Sequence, residues 1–92
     1  MCIMCDIVND VKKAYHYYDG KDFIICECDK CNVPMAILKK HTVEYDGIIL
    51  REMINNISRI AMKKWQDKWY IDMYLTECID HFHLHARQQK EE

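Results

Sequence analysis

Two glycines and one proline are all that punctuate the 92 residues of this chain. That scarcity excludes a Gly/Ser- or Pro-rich linker and any low-complexity segment, so the length fits one domain over residues 1–88. The closing "RQQKEE" is polar, and residues 89–92 are expected to fray as a solvated tail. Basic charge is not in excess either: 13 Lys and Arg stand against 15 Asp and Glu, a net charge of −2. The basic residues are dispersed, so a nucleic-acid partner is not expected. No apolar run reaches membrane-spanning length, and no membrane association is expected. The opening "MCIMCDIVND" has neither the basic start nor the sustained apolar core of an export signal. A cytoplasmic location follows as the expectation, and there thiols stay reduced.

What is present is a globular balance, with half the residues hydrophobic and 30% charged. A domain this small buries only about 60–65% of the surface of its unfolded chain. A bound metal or a partner copy would help it stay folded. Asp19-Gly20 within "YYDGKDF" marks a hairpin. "FIICEC" is rich in strand formers, "CDKCN" is turn-like, and "VPMAILKK" resumes as a strand with Pro34 near its start, where a missing amide does least harm. From Gly47 to about Trp65, the residues Leu50, Met53, Ile54, Ile57, Ile60, Ala61 and Trp65 recur at helical spacing, with Asp46 placed to cap. "WYIDMYL" and "HFHLHA" then alternate as strands. The pattern predicts an α+β fold, an antiparallel β-sheet of about five strands with one main α-helix.

Six cysteines (Cys2, Cys5, Cys26, Cys28, Cys31, Cys78) in a reducing compartment point to metal before disulfides. In an exported chain, three disulfides would be the simpler account. Cys2 and Cys5 have the spacing by which two thiolates from one tight turn take two corners of a zinc tetrahedron. His41 and His81 are candidates for the other two corners, with Asp80 as an orienting carboxylate. Two readings compete with this one. Cys2, Cys5, Cys28 and Cys31 form a zinc-ribbon pattern, the signature of an interaction module, and a lone Cys-x-x-Cys is also compatible with two small buried hydrophobes. The roles of Cys26, Cys28 and Cys31 stay open.

The most unusual stretch is "HFHLH", which places three of the five histidines at every second position. In a strand, His81, His83 and His85 share one face while Phe82, Leu84 and Ala86 take the other. The apolar face enters the core, and the histidine face is expected to line a surface or a cleft. Incidental histidines on a polar sheet face are the plain alternative.

Taken in order, "CIMCDIV", "DFIICECDKCNVPMAILKKHT", a helix and "HFHLHAR" resemble the histidine triad (HIT) family of nucleotide hydrolases and transferases over nearly the whole chain. The family motif is His-φ-His-φ-His-φ-φ, with φ apolar, and here Arg87 replaces the last φ. The resemblance implies a HIT-like fold and a structural zinc ion held by Cys2, Cys5, His41 and His81. It also implies two catalytic residues, His83 as nucleophile and His85 as phosphate contact. The implied activity is that of a nucleotidyl hydrolase or transferase. The substrate would be a nucleoside phosphate or phosphoramidate, processed through a nucleotidyl-histidine intermediate. A catalytically weak relative that binds a nucleotide or a partner protein is the alternative. Proteins of this kind often dimerise through the helix and an edge strand, so a homodimer is one expectation. The segment before the triad, "YLTECIDH", departs from the family in containing no glycine. Its neutral donors are Thr76 and backbone amides, and Glu77 and Asp80 add negative charge.

Overall fold

The computed structural model describes residues 2–11, 13–28, 32–75 and 78–89. A short helix, α1 (Ile3–Val8), opens the chain. Strands β1 (His16–Asp19), β2 (Phe23–Cys28) and β3 (Val33–Leu38) follow, then helix α2 (Gly47–Trp65) and strands β4 (Trp69–Asp72) and β5 (His83–Gln88). The five strands form one antiparallel sheet in the order β1-β2-β3-β5-β4. This is the α+β architecture that the periodicities predict.

The hairpin forms at Asp19-Gly20, where the Gly20 amide donates to the Phe23 carbonyl at 2.9 Å. A Cβ at Gly20 would run into the Tyr18 ring. Helix α2 starts at Asp46, whose carboxylate accepts from the Ile48 amide at 2.7 Å. It stops at Gln66, a non-glycine residue with φ of 61° that cannot continue the helix.

Both faces of the sheet are covered. Phe23, Ile25, Ala36, Leu38, Leu84 and Ala86 meet Met53, Ile57 and Ala61 of α2 on one face. Ile24, Cys26, Met35 and Ile37 meet Met4 and Ile7 of α1 on the other. Hence all six residues of β3, an interior strand, are buried. Ile57 is fully buried against the sheet. Ile57→Ala should therefore cost about 2–5 kcal/mol, read as a lowered urea midpoint.

Helix α1 was not legible in the sequence. Its six residues carry only two core side chains, Met4 and Ile7, too few for a helical period to stand out. The Cys-x-x-Cys pair lies in the N-cap and first turn of this helix rather than in a loop turn. The last strand also begins later than "HFHLHA" suggests. His81 and Phe82 precede β5, in a turn closed by the His81 amide donating to the Cys78 carbonyl at 3.0 Å. Thr76, Glu77, Cys31 and residues 90–92 lie outside the described residues, so the expected phosphate donor Thr76, the acidic Glu77, the fourth ribbon cysteine and most of the tail lie outside them as well. Among the described residues, no helix is long and apolar enough to cross a membrane.

Candidate functional site

Strands β3 and β5 are antiparallel neighbours, so the exit of one and the entry of the other share an end of the sheet. Past that end the two chains stay together: the Phe82 amide donates to the Thr42 carbonyl at 2.7 Å. His41, just beyond β3, thus meets His81, just before β5, with ring centroids 5.0 Å apart. Helix α1 lies over the same face through Met4 and Ile7. Its first turn brings Cys2 and Cys5 to the two rings, because residues three apart share a helix side.

The ligand atoms of Cys2, Cys5, His41 and His81 all lie within 4.8 Å of one another. Cys5 Sγ is 3.1 Å from His41 Nδ1 and 3.4 Å from His81 Nδ1, and Cys2 Sγ is 3.4 Å from His81 Nδ1. A tetrahedral ion with metal–sulfur bonds of about 2.3 Å and metal–nitrogen bonds of about 2.0 Å separates its ligands by about 3.3–3.8 Å. The cluster is close to that geometry and can hold a metal ion.

The far side of each ring supports this. His81 Nε2 lies 2.6 Å from the Leu38 carbonyl oxygen, which can only accept. The proton therefore sits on Nε2, and the Nδ1 lone pair faces the sulfurs. His41 Nε2 lies 3.1 Å from Asp80 Oδ2, with the same consequence for its Nδ1. Asp80 thus orients His41, not the adjacent His81 that its sequence position suggested, because the turn at 78–81 carries the carboxylate back toward the loop after β3. Burial lowers the His81 pKa below the ordinary histidine value, opposed by the Leu38 hydrogen bond and aided by the nearby His41 and His83. The neutral imidazole, the form that ligates metal, is thereby favoured.

His83 and His85 stand on the same sheet face as Ile37 and Met35, their register partners on β3. Their rings meet edge to face at 5.6 Å. His83 Nδ1 lies 2.8 Å from the His81 carbonyl oxygen. Since the carbonyl can only accept, Nδ1 carries the proton and Nε2 keeps the lone pair. The histidine face is more enclosed than the expected surface or cleft: His81 is fully buried, and His83 and His85 are 3% and 8% exposed. Helix α1, which no sequence period announces, packs Met4 and Ile7 on the same sheet face, against Ile37 and Met35, the strand partners of His83 and His85.

The same face carries a charged pair that joins two strands. Asp72 of β4 stands across from His85, and Arg87 Nε donates to Asp72 Oδ2 at 2.7 Å. Strand alternation from His85 places Arg87 on this face, but nothing local marks Asp72. The Arg87 hydrogen bond, helped by the Tyr74 amide, holds the Asp72 carboxyl below the usual carboxylate range, against a smaller opposing effect of burial. A carboxyl depressed in the folded state adds stability above its unfolded pKa of about 3.9 and loses it as pH falls through the folded value. Asp72→Asn should flatten the acid limb of stability below about pH 4, by no more than about 1 kcal/mol for so partly solvated a pair. Urea midpoints between pH 2 and 6 measure it.

Of the remaining cysteines, Cys26 is buried inside β2, while Cys28 and Cys78 pack half-buried against the core under α1. Cys28 is not among the clustered ligands. Trp65 and Trp69 pack against the core on the α2 face, opposite the face that carries His83 and His85. Tyr70 is 48% exposed.

By sequence the chain matches no protein-family model and no curated protein. By structure it is similar to several solved proteins. A HIT family hydrolase from Legionella pneumophila superposes with a TM-score of 0.80 at 15% identity, covering 99% of this chain and 95% of the other. A histidine triad protein from Clostridium difficile gives 0.74 at 18% identity over 99% and 92%. A hypothetical histidine triad nucleotide-binding protein from Sulfolobus tokodaii gives 0.73 at 23% identity over 99% and 70%. The chain has the histidine triad fold.

Proposed function

We propose that this chain is a histidine-triad-type nucleotidyl hydrolase or transferase. It acts on a nucleoside phosphate or phosphoramidate through a nucleotidyl-histidine intermediate on His83. The observation that carries the reading is the 2.8 Å contact between His83 Nδ1 and the His81 carbonyl, which directs the Nε2 lone pair away from its own strand. A fixed tautomer is what a neutral imidazole needs to act as a nucleophile near neutral pH. His83 Nε2 attacks the α-phosphorus, forming a nitrogen–phosphorus bond. The bond to the leaving group breaks, and its electron pair departs with that group. The leaving group takes up a proton from solvent; water then attacks the phosphorus and gives its proton to solvent, the nitrogen–phosphorus bond breaks, and the lone pair returns to Nε2. His85, beside His83 on the same face, holds the phosphoryl oxygens.

Zinc is the ion we assign to Cys2, Cys5, His41 and His81, since two thiolates and two imidazoles form one of its usual structural sets. With all four corners filled by protein, it would supply rigidity rather than reaction chemistry. These residues tie α1 to the turn that feeds β5, and so fix where His83 begins its strand. Strand β4 is at the sheet edge, where a second copy would add in a homodimer. We place the protein in the cytoplasm, where its thiols stay reduced.

One observation favours the second reading, a nucleotide- or partner-binding relative with little turnover. His83 is only 3% exposed, so a substrate must open a way to it. Incubation with an adenylyl phosphoramidate separates the two. The enzyme releases the amine and AMP with repeated turnover. A protein that binds AMP but releases no amine is the binding relative.

A further inference from the structure

The histidine row of β5 does not end at His85. One step further on the same face stands Arg87, where the histidine triad pattern has an apolar residue. Exposure climbs along this row, from 3% at His83 and 8% at His85 to 30% for the Arg87 side chain. Arg87 therefore marks its more open end. Its guanidinium is also oriented: Nε donates to Asp72 Oδ2 at 2.7 Å, and Asp72 faces His85 across the strand pair. A guanidinium carries five N–H donors in a planar fork, and a bond at Nε fixes that plane. The backbone of Arg87 lies about 7 Å beyond that of His85. With its long side chain, the fork can meet a phosphate one or two positions beyond a phosphoryl group seated at His83 and His85.

We propose that Arg87, oriented by Asp72, is a second anion-binding position selecting ligands that carry a phosphate beyond the one at His83 and His85. Nucleoside diphosphates are then preferred over monophosphates and over phosphoramidates with uncharged leaving groups. The inference rests on the reading above, which seats the reacting phosphorus at His83. With a diphosphate, His83 Nε2 bonds to the α-phosphorus and the bond from that phosphorus to the bridging oxygen breaks. Orthophosphate leaves with the electron pair, its charge met by Arg87. Water cleaves the adduct to the monophosphate and gives its proton to solvent.

Calorimetric titration of the metal-loaded protein with AMP and with α,β-methylene-ADP tests this without turnover. The wild type should bind the diphosphate analogue about tenfold more tightly, the effect of one charge-assisted phosphate contact. Arg87→Gln should bind both ligands alike, Arg87→Lys should keep part of the preference, and Asp72→Asn should reduce it. A preference that survives Arg87→Gln, or an Arg87→Gln variant that loses affinity for both ligands equally, overturns the inference and leaves the histidine reading intact. A wild type that binds AMP and the analogue equally overturns it as well. A wild type that binds neither ligand overturns both.

Discussion

His83→Ala should abolish turnover of an adenylyl phosphoramidate, by about 10³-fold or more, while leaving the fold and the metal content unchanged. Losses of this size follow removal of a nucleophile, because no other group then forms the covalent intermediate. The side chain is almost fully enclosed, so truncation also leaves a small cavity beside β5. A His83→Asn variant controls for that, since it keeps polar bulk but offers no ring nitrogen. His83→Asn should unfold cooperatively near the wild-type midpoint, and both variants should be inactive. His85→Ala should be damaging to a lesser degree, because it removes a phosphate contact and leaves the attacking atom in place.

The second large effect concerns the metal cluster. Cys5→Ser should release the bound metal and lower stability by on the order of 3 kcal/mol, a drop of about 10–20 °C in melting temperature for a domain of this size. The chain termini explain the magnitude: Cys2 and Cys5 near the start are brought to His81 near the end. A cross-link over that span removes much of the freedom of the unfolded chain. Cys28→Ala should leave the metal in place, because Cys28 stands apart from the four ligands. Metal content by mass spectrometry of the native protein and a thermal melt with and without chelator measure both. Unchanged melting on chelation would contradict a structural metal.

How far the sequence could be read depended on signal length. Nineteen residues of helical period gave α2 its limits, Gly47 and Trp65, and the Asp46 cap. The Asp19-Gly20 turn signal gave the hairpin, and two-residue alternation gave the strand that carries His83 and His85. The four clustered ligands were legible because cysteine and histidine are few and their spacing is chemically restrictive. What escaped was tertiary. The six residues of α1 are helical because Met4 and Ile7 have a sheet face to cover, and that face exists only after the strands pair. The histidines expected to line a surface or cleft are enclosed for a tertiary reason as well, since burial depends on what packs around the strand and not on its alternation. Asp72 gains its meaning from the β4–β5 register, which puts it across from His85 and beside Arg87. Asp80 is next to His81 in the chain, yet its carboxylate reaches His41, because a turn separates sequence neighbours and joins distant residues.

A covalent bond to His83 leaves an adduct that can be trapped, and its mass identifies the residue that carries it. Rapid mixing with an adenylyl phosphoramidate, quenching in denaturant at alkaline pH and peptide mapping should find one added nucleoside monophosphate on His83. The adduct should form and decay as fast as turnover requires and should be absent from His83→Asn. An adduct on another residue, or full turnover by His83→Asn, would rule out His83 as the nucleophile.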